Sequence, residues 1–204
     1  MIDKIAKVIS MVFHPLLVPT YALILILNLN IYYLYALTPA SKWIFGIFIF
    51  GLTFLIPLVL MVFLKLIGFV SSFRMATKED RIFPFMLTSI IYCLAYFFVK
   101  KFEFFAIFNY LLFGLTVTVV ISMIVNIWWK ISIHMIGAGG FCGAMIGLSL
   151  TLYLNNPLVC IIPILISGFI ASARLKLKAH TPSQVYVGFG LGFIVMLSIF
   201  GYIA

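Results

Sequence analysis

The chain has 204 residues, of which 66% are hydrophobic and 8% are charged, and its mean hydropathy is +1.31. A soluble domain carries about 25% charged residues, so the composition excludes a soluble globular protein. The high apolar content also excludes a disordered chain. Because 13 Lys and Arg face only 4 Asp and Glu, the net charge is +9. We expect one integral membrane domain over residues 1–204, an all-α polytopic helical bundle.

The first apolar segment follows Lys4 and Lys7 and continues to about Leu37. It is too long for the apolar core of a signal peptide, and no clear small-residue cleavage site ends it. We therefore predict a retained first transmembrane helix that is bent near Pro15 and Pro19.

Six further apolar segments have lengths suited to membrane spans, which take about 20 residues each. They cover about 43–66, 84–101, 104–127, 134–155, 158–173 and the chain from 185 to its end. The count is seven spans, or six if one short segment is interfacial or re-entrant. Two spans separate each of the polar stretches 74–81, 130–134 and 173–184 from the next. All three stretches should therefore emerge on the same side and can form one site.

These three polar stretches hold two of the chain's three histidines and all of its arginines, which are His134, His180, Arg74, Arg81 and Arg174. Arginine binds phosphate oxygens through a planar fork and stays charged at any relevant pH. Histidine acts as a nucleophile or as a general acid near neutral pH. The combination at one membrane face indicates phosphoryl transfer.

The spacing inside the stretches is more specific than their composition. Six residues separate the arginines of the first stretch, one separates the serine and histidine of the second, and five separate the arginine and histidine of the third. This pattern resembles the type 2 phosphatidic acid phosphatase (PAP2) superfamily, integral membrane enzymes that dephosphorylate lipid phosphates. The motifs of that family are K-x6-R-P, P-S-G-H and S-R-x5-H-x3-D. The resemblance covers about 25 residues in three blocks, in the family's order.

The resemblance implies a role for each matching residue. His180 corresponds to the nucleophile that forms a phosphohistidine, and His134 to the group that protonates the leaving lipid oxygen and then activates water. Arg81 and Arg174 correspond to phosphate ligands. The other candidate site residues are Arg74 where the family has lysine, Ser132 at the motif-two serine, Gln184 in the catalytic motif, and the phosphate-binding candidates Lys78 and Lys130. Four acidic residues are too few for an oxygen-rich metal cage, and neither metal nor cofactor is expected.

The chain also departs from the family's motifs. The departures are Ile82 for proline, Ile131 and Ile133 for proline and glycine, Ala173 for serine and Gln184 for aspartate. The aspartate orients the nucleophilic histidine and raises its basicity, whereas Gln184 can fix the ring but brings no charge. Glu79 or Asp80 is a candidate substitute.

Two functions remain open on these residues. The first is a metal-independent phosphatase acting on a lipid monophosphate or diphosphate. The alternative is a catalytically degenerate relative that binds anionic lipid headgroups or scaffolds a membrane complex. No charged residue lies clearly mid-span, which weighs against a transporter or channel.

Glycines recur at every fourth residue after each site histidine, at Gly139, Gly143 and Gly147 and again at Gly188 and Gly192. Small residues at this spacing let membrane helices approach closely. We predict that the fifth and last spans pack through these faces and bring the two histidines near each other.

The remaining unusual residues carry no motif. His14 precedes Pro15 and is interpreted as structural, and Cys93, Cys142 and Cys160 lie in apolar runs as small buried hydrophobes. No basic arm or soluble face suits nucleic acid. The expected partners are a lipid phosphate substrate and membrane lipids, and the sequence does not define an oligomeric state.

The side of the membrane is predicted differently by two criteria. More lysines lie on the side of the motifs than on the other side, so the positive-inside rule places the motifs in the cytoplasm. Many PAP2 enzymes act at the outer face, so the resemblance favours the opposite side. We expect a bacterial inner (plasma) membrane protein and favour the cytoplasmic side for the site.

Overall fold

A computed structural model describes residues 2–29, 31–35, 37–70, 77, 79–101 and 106–202. Every element within these ranges is helical. The α-helices are α1 (Ile2–Val12), α2 (Val18–Leu27), α3 (Tyr32–Tyr35), α4 (Pro39–Phe50), α5 (Ile56–Leu66), α6 (Ile82–Val99), α7 (Ala106–Trp128), α8 (Ile133–Thr151), α9 (Leu158–Lys176) and α10 (Pro182–Gly201). A π-helical turn (Gly51–Leu55) joins α4 to α5, and a 3-10 turn (Glu79–Arg81) precedes α6.

Within the described residues, six helices are long and apolar enough to cross a membrane. They are Pro39–Leu66, Glu79–Val99, Ile107–Trp128, Ile133–Thr151, Leu158–Lys176 and Pro182–Gly201. This confirms the prediction of a polytopic helical membrane bundle. For the described residues it gives six spans, the lower of the two predicted counts.

The predicted first transmembrane helix, bent near Pro15 and Pro19, is wrong: the chain leaves the helix between α1 and α2 and forms two short helices instead. Pro15 has no N–H to donate, and a proline ring inside a helix clashes with the preceding turn. The Leu17 N–H instead donates to the His14 carbonyl oxygen at 2.8 Å, and Pro19 lies in the first turn of α2. The two helices have 11 and 10 residues, or about 16 Å each, which is too short for a hydrocarbon core of about 30 Å.

The glycine faces of α8 and α10 pack directly against each other, as predicted. A Cβ atom on Gly139 would meet the backbone carbonyl of Phe189, and one on Gly192 would meet that of Ile136. α8 also contacts α2, α7 and α9, and it is the most buried of the six long helices. It therefore forms the centre of the bundle and holds the start of α10 next to its own start.

The π-helical turn reshapes the long helix that contains α4 and α5. Pro57 cannot donate a backbone hydrogen bond, and the Thr53 carbonyl four residues earlier accepts one from the Tyr92 hydroxyl at 3.3 Å. Such turns widen a helix locally and mark kinks. Tyr92 is only 2% exposed, so this contact joins the π-helical turn to α6 inside the bundle.

Candidate functional site

A cavity of about 980 Å³ enters the bundle where α6, α8 and α10 begin and α9 ends. All three histidines line it, His14, His134 and His180. Five cationic side chains also line it, Lys7, Arg81, Lys130, Arg174 and Lys178. No acidic side chain from the described part of the chain lines the cavity. The entrance is therefore strongly positive.

Two hydrogen bonds join the three predicted polar stretches. The Arg81 guanidinium donates through Nη1 to the Ile131 carbonyl at 2.8 Å, and Arg81 is only 5% exposed. The Ser132 N–H donates to the Gln184 carbonyl at 3.3 Å. The first stretch thus contacts the second, and the second contacts the third, as expected if they form one site.

The loop that carries His180 is held at both of its ends. At the end of α9, the N–H of Lys178 donates to the Leu175 carbonyl at 3.0 Å and that of Ala179 to the Arg174 carbonyl at 3.2 Å. This is a Schellman motif, with Lys178 in the left-handed region at φ 50° where glycine is usual. At the start of α10, Thr181 is the N-cap of a capping box. His180 lies between these two fixed points and is 8% exposed.

Gln184 determines which nitrogen of His180 carries the proton. Its side-chain oxygen Oε1 accepts a hydrogen bond from the Thr181 N–H at 3.2 Å, so the amide oxygen faces this loop. The same oxygen lies 2.9 Å from His180 Nδ1. Because an amide oxygen only accepts, Nδ1 must carry the hydrogen. The lone pair of the neutral ring is then on Nε2.

The surroundings of His180 favour its neutral form. Burial lowers its pKa to about 4, the hydrogen bond to Gln184 opposes this shift, and the charges of Arg174, Arg81 and Lys130 lower the pKa further. The pKa of Lys130 is itself lowered, first by burial and then by the two arginines. The imidazole therefore has an available lone pair at neutral pH, and the clustered cations favour an anion between them.

The N-terminal segment also lines the cavity, which the three polar stretches of the sequence did not predict. His134 donates through Nε2 to the Ser10 carbonyl at 3.0 Å, and Arg174 donates through Nη1 to the Ser10 hydroxyl at 3.3 Å. The ring of His14 stands edge-on to that of His134, with centroids 5.8 Å apart. His14, interpreted above as structural, therefore lies on the cavity wall, together with Lys7.

The conformation of His14 is set locally by the break between α1 and α2. The Leu16 N–H donates to its Nδ1 at 3.3 Å, so the neutral ring carries its hydrogen on Nε2. Burial and the charge of Arg174 lower the pKa of His14. The histidine beside a helix-breaking proline was the available sequence signal, but its partner is 120 residues away in the chain.

Several candidate residues stand apart from the cavity or outside the described chain. Arg74 and Lys78 lie outside the described residues. Ser132 is fully buried as the N-cap residue of α8, is not among the described lining residues, and its hydroxyl has no hydrogen-bond partner there. Neither Glu79 nor Asp80 is among the described lining residues. The nearby partner of His180 is therefore Gln184, and neither carboxylate takes its place.

The described residues contain no group of three or more His, Cys, Asp or Glu side chains arranged to hold a metal ion. All three cysteines are free thiols, with Cys142 buried and Cys93 and Cys160 half-buried. The Cys142 thiol lies 3.2 Å from the Ser167 hydroxyl between α8 and α9, which is a packing contact.

The fold and the cavity define a class: a membrane helical bundle with a cationic, histidine-bearing cavity at one end. Comparisons with protein-family models, with curated proteins and with solved structures find no match to this chain. The PAP2 resemblance therefore rests on the motif residues alone.

Proposed function

We propose that this chain is a lipid phosphate phosphatase of the PAP2 type. The observation that carries the proposal is the polarity gradient of the cavity. Cations and histidines line one end, and the walls then become apolar, with Leu58, Leu111, Leu115, Phe141, Ala144 and Met196 among the lining residues. A ligand with an anionic head and a hydrocarbon tail matches this gradient.

The length of the cavity supports a tail inside the bundle. Its lining residues on α8 extend from Ile133 to Ala144, which is about 16 Å at 1.5 Å per residue. That is about half of a hydrocarbon core of 30 Å. A phosphate at the cationic end of the cavity, its mouth, would thus lie near the membrane surface. The hydrocarbon tail of the lipid would be directed toward the middle of the bilayer.

The charge of the mouth matches a phosphoryl group. A phosphate monoester carries about −1.5 to −2 charges at neutral pH, and the five lining cations supply positive charge to offset it. The starts of α8 and α10 lie at the same end and add the positive ends of two helix dipoles. Fixed positive groups of this kind stabilise the charge of a phosphoryl-transfer transition state.

The reaction begins with His180 as the nucleophile. Its Nε2 lone pair attacks phosphorus and forms an N–P bond, while the bond from phosphorus to the lipid oxygen breaks. His134 takes up the proton of the substrate's phosphate monoanion at Nδ1 and passes it to that oxygen, which releases the lipid alcohol. Water then attacks the phosphohistidine, its proton passes through His134 to the departing phosphate, and both histidines are restored. Arg81 and Arg174 hold the phosphoryl oxygens throughout.

A second function is favoured by the neutral partner of His180. In a triad, a carboxylate stabilises the imidazolium that forms during the reaction, and the Gln184 amide supplies no such charge. A chain with this site can bind anionic lipid headgroups or scaffold a membrane complex without turning over. The same cations would serve that role, and His180 would be dispensable for it.

The test is phosphate release from a panel of lipid monophosphates and diphosphates by purified protein in detergent with EDTA. The wild type should release phosphate, and His180→Ala should lose release while still binding phospholipid. Ser172→Ala, on an exposed residue of α9 whose hydroxyl bonds the Gly168 carbonyl, is the control and should match the wild type. Binding without release from any lipid would reject the phosphatase and favour the headgroup-binding function.

A further inference from the structure

The helix α1 combines an exposed apolar face with two polar side chains that line the cavity. Ile2, Ile5, Val8, Met11 and Val12 are exposed on it, as expected for a helix that lies in the membrane interface. α1 packs against α9, and its Lys7 and Ser10 line the cavity. It is too short to span a bilayer, so its position depends on these contacts and on the lipid.

Ser10 bridges two site residues that are far apart in the sequence. Its backbone carbonyl accepts from His134 Nε2 at 3.0 Å, and its hydroxyl accepts from Arg174 Nη1 at 3.3 Å. These partners belong to the second and third polar stretches, and none of the three family motifs includes residue 10. Within the described residues, Nε of Arg174 is buried without a hydrogen-bond partner, so the hydrogen bond to Ser10 is the contact that orients this guanidinium.

We infer that Ser10 is a positioning residue for the site, a role that rests on the proposed phosphate chemistry. Its hydroxyl fixes the direction of the Arg174 guanidinium. Its carbonyl fixes the tautomer of His134, because a carbonyl only accepts and Nε2 must then carry the hydrogen. The lone pair of the neutral His134 ring is thereby on Nδ1. The N-terminal helix is thus a working part of the site.

The hydroxyl is tested in the full-length chain with three variants: Ser10→Ala, Ser10→Thr and the control Ser172→Ala. The first measurement is the binding of inorganic phosphate to purified protein. Loss of a hydrogen bond to a charged group should weaken binding by about tenfold in Ser10→Ala. Ser10→Thr keeps the hydroxyl and should restore binding, and Ser172→Ala should bind as the wild type does.

The second reading is steady-state kinetics with a lipid phosphate. Ser10→Ala should raise KM by a similar factor with little change in kcat, because the carbonyl contact to His134 remains. Unchanged or tighter phosphate binding in Ser10→Ala, or an equal loss in Ser10→Thr, would overturn the role of the hydroxyl. A wild type that binds phosphate but hydrolyses no lipid phosphate would instead reject the proposed function, and the binding comparison would still decide the role of Ser10.

The carbonyl contact is tested by ¹⁵N NMR of labelled histidines, with the His134 signals assigned from their loss in His134→Gln. The neutral His134 ring should have its hydrogen on Nε2. A ring with its hydrogen on Nδ1 would overturn this part of the proposal. This reading requires no turnover.

Discussion

One amide oxygen sets the state of the proposed nucleophile. Gln184 Oε1 accepts from both the Thr181 N–H and His180 Nδ1, so a single side chain caps α10 and orients the imidazole. It keeps the tautomer that a catalytic carboxylate would select, but it does not stabilise the imidazolium. The substitution of Gln184 for aspartate should therefore affect the basicity of His180 more than its orientation.

Replacing Gln184 separates these two effects. In the pH profile of kcat/KM, the wild-type activity should fall on the acid side near pH 4, and we call this fall the acid limb. It arises because protonation of His180 removes its lone pair as the pH falls through its pKa of about 4. Gln184→Glu keeps the shape and adds a charge that favours the imidazolium. The acid limb should therefore move up by about 1–3 pH units.

Gln184→Leu is the matched control for this change. It removes the acceptor while keeping a side chain of similar size, so the ring loses its fixed tautomer and kcat should fall by about 100-fold. Helix capping should weaken by about 1 kcal/mol, visible as a small loss of thermal stability. A wild-type limb near pH 6.5, or the same limb in Gln184→Glu, would contradict this account of His180.

Lys178 offers a test of the cationic mouth that does not disturb the fold. It has a left-handed backbone, at φ 50°, which costs a non-glycine residue about 1 kcal/mol. Lys178→Gly should therefore raise thermal stability slightly and also remove one lining cation, weakening phosphate binding several-fold. Lys176→Ala on the last turn of α9 is the comparison, since Lys176 is not among the described lining residues. Equal weakening in both variants would argue against a specific role for Lys178.

The residues found from sequence share one property. They lie in short local motifs at or beside helix ends, so their spacing along the chain is enough to identify them. These residues are Arg81, His134, Arg174 and His180. Ser10 and His14 act through contacts with residues more than 100 positions away. No local pattern encodes such a contact, because it depends on how α1 packs against α9.

At the scale of the helices, glycine spacing was the strongest sequence signal. It predicted the α8–α10 pair because only a residue without a side chain lets two backbones approach this closely. Hydropathy was weaker for the N-terminal segment, where it could not distinguish a bent span from two short helices. The distinction depends on whether Pro15 is accommodated inside a helix. In this chain Pro15 lies between the end of α1 and the start of α2, outside both helices.

The glycine contact is tested by two alanine substitutions on the same helix. A Cβ atom on Gly192 would meet the backbone of α8, whereas no described atom lies within 4 Å of a Cβ on Gly190. Gly192→Ala should therefore force α8 and α10 apart and cost about 1–3 kcal/mol. Gly190→Ala should leave stability unchanged or raise it, because alanine is the better helix former.

Thermal unfolding in detergent measures both variants. Gly192→Ala should also lose phosphate binding, because this contact holds the start of α10 beside the start of α8. Equal melting temperatures for the two variants would mean that the close approach of these helices contributes little to stability.

For the whole molecule, the alternation of spans predicted that the three polar stretches share one face. Residues from all three stretches do line one cavity, including Arg81, Lys130 and His180. The depth of that cavity could not be predicted, because it depends on how side chains of α5, α7 and α8 pack in the interior. Of two neighbouring apolar residues on one helix, one can line the cavity while the other does not, and their hydropathy does not show which one lines it.

The apolar part of the cavity makes the last prediction, which concerns the lipid tail. Val119 on α7 lines the cavity, and Val117 on the same helix is not among the described lining residues. Val119→Phe should fill part of the space for the tail. Burial of each methylene contributes about 0.8 kcal/mol, so excluding two of them should raise KM for a long-chain lipid phosphate by about tenfold. Val117→Phe should leave this KM near the wild-type value.

A water-soluble phosphomonoester with no long chain provides the second comparison. Its hydrolysis should be almost the same in both variants and in the wild type, because it needs only the cationic mouth and His180. If Val119→Phe slowed the soluble and the long-chain substrates equally, the variant would have damaged the site itself. If it affected neither substrate, the tail would lie outside this cavity, and the gradient from cations to apolar walls would no longer support a lipid substrate.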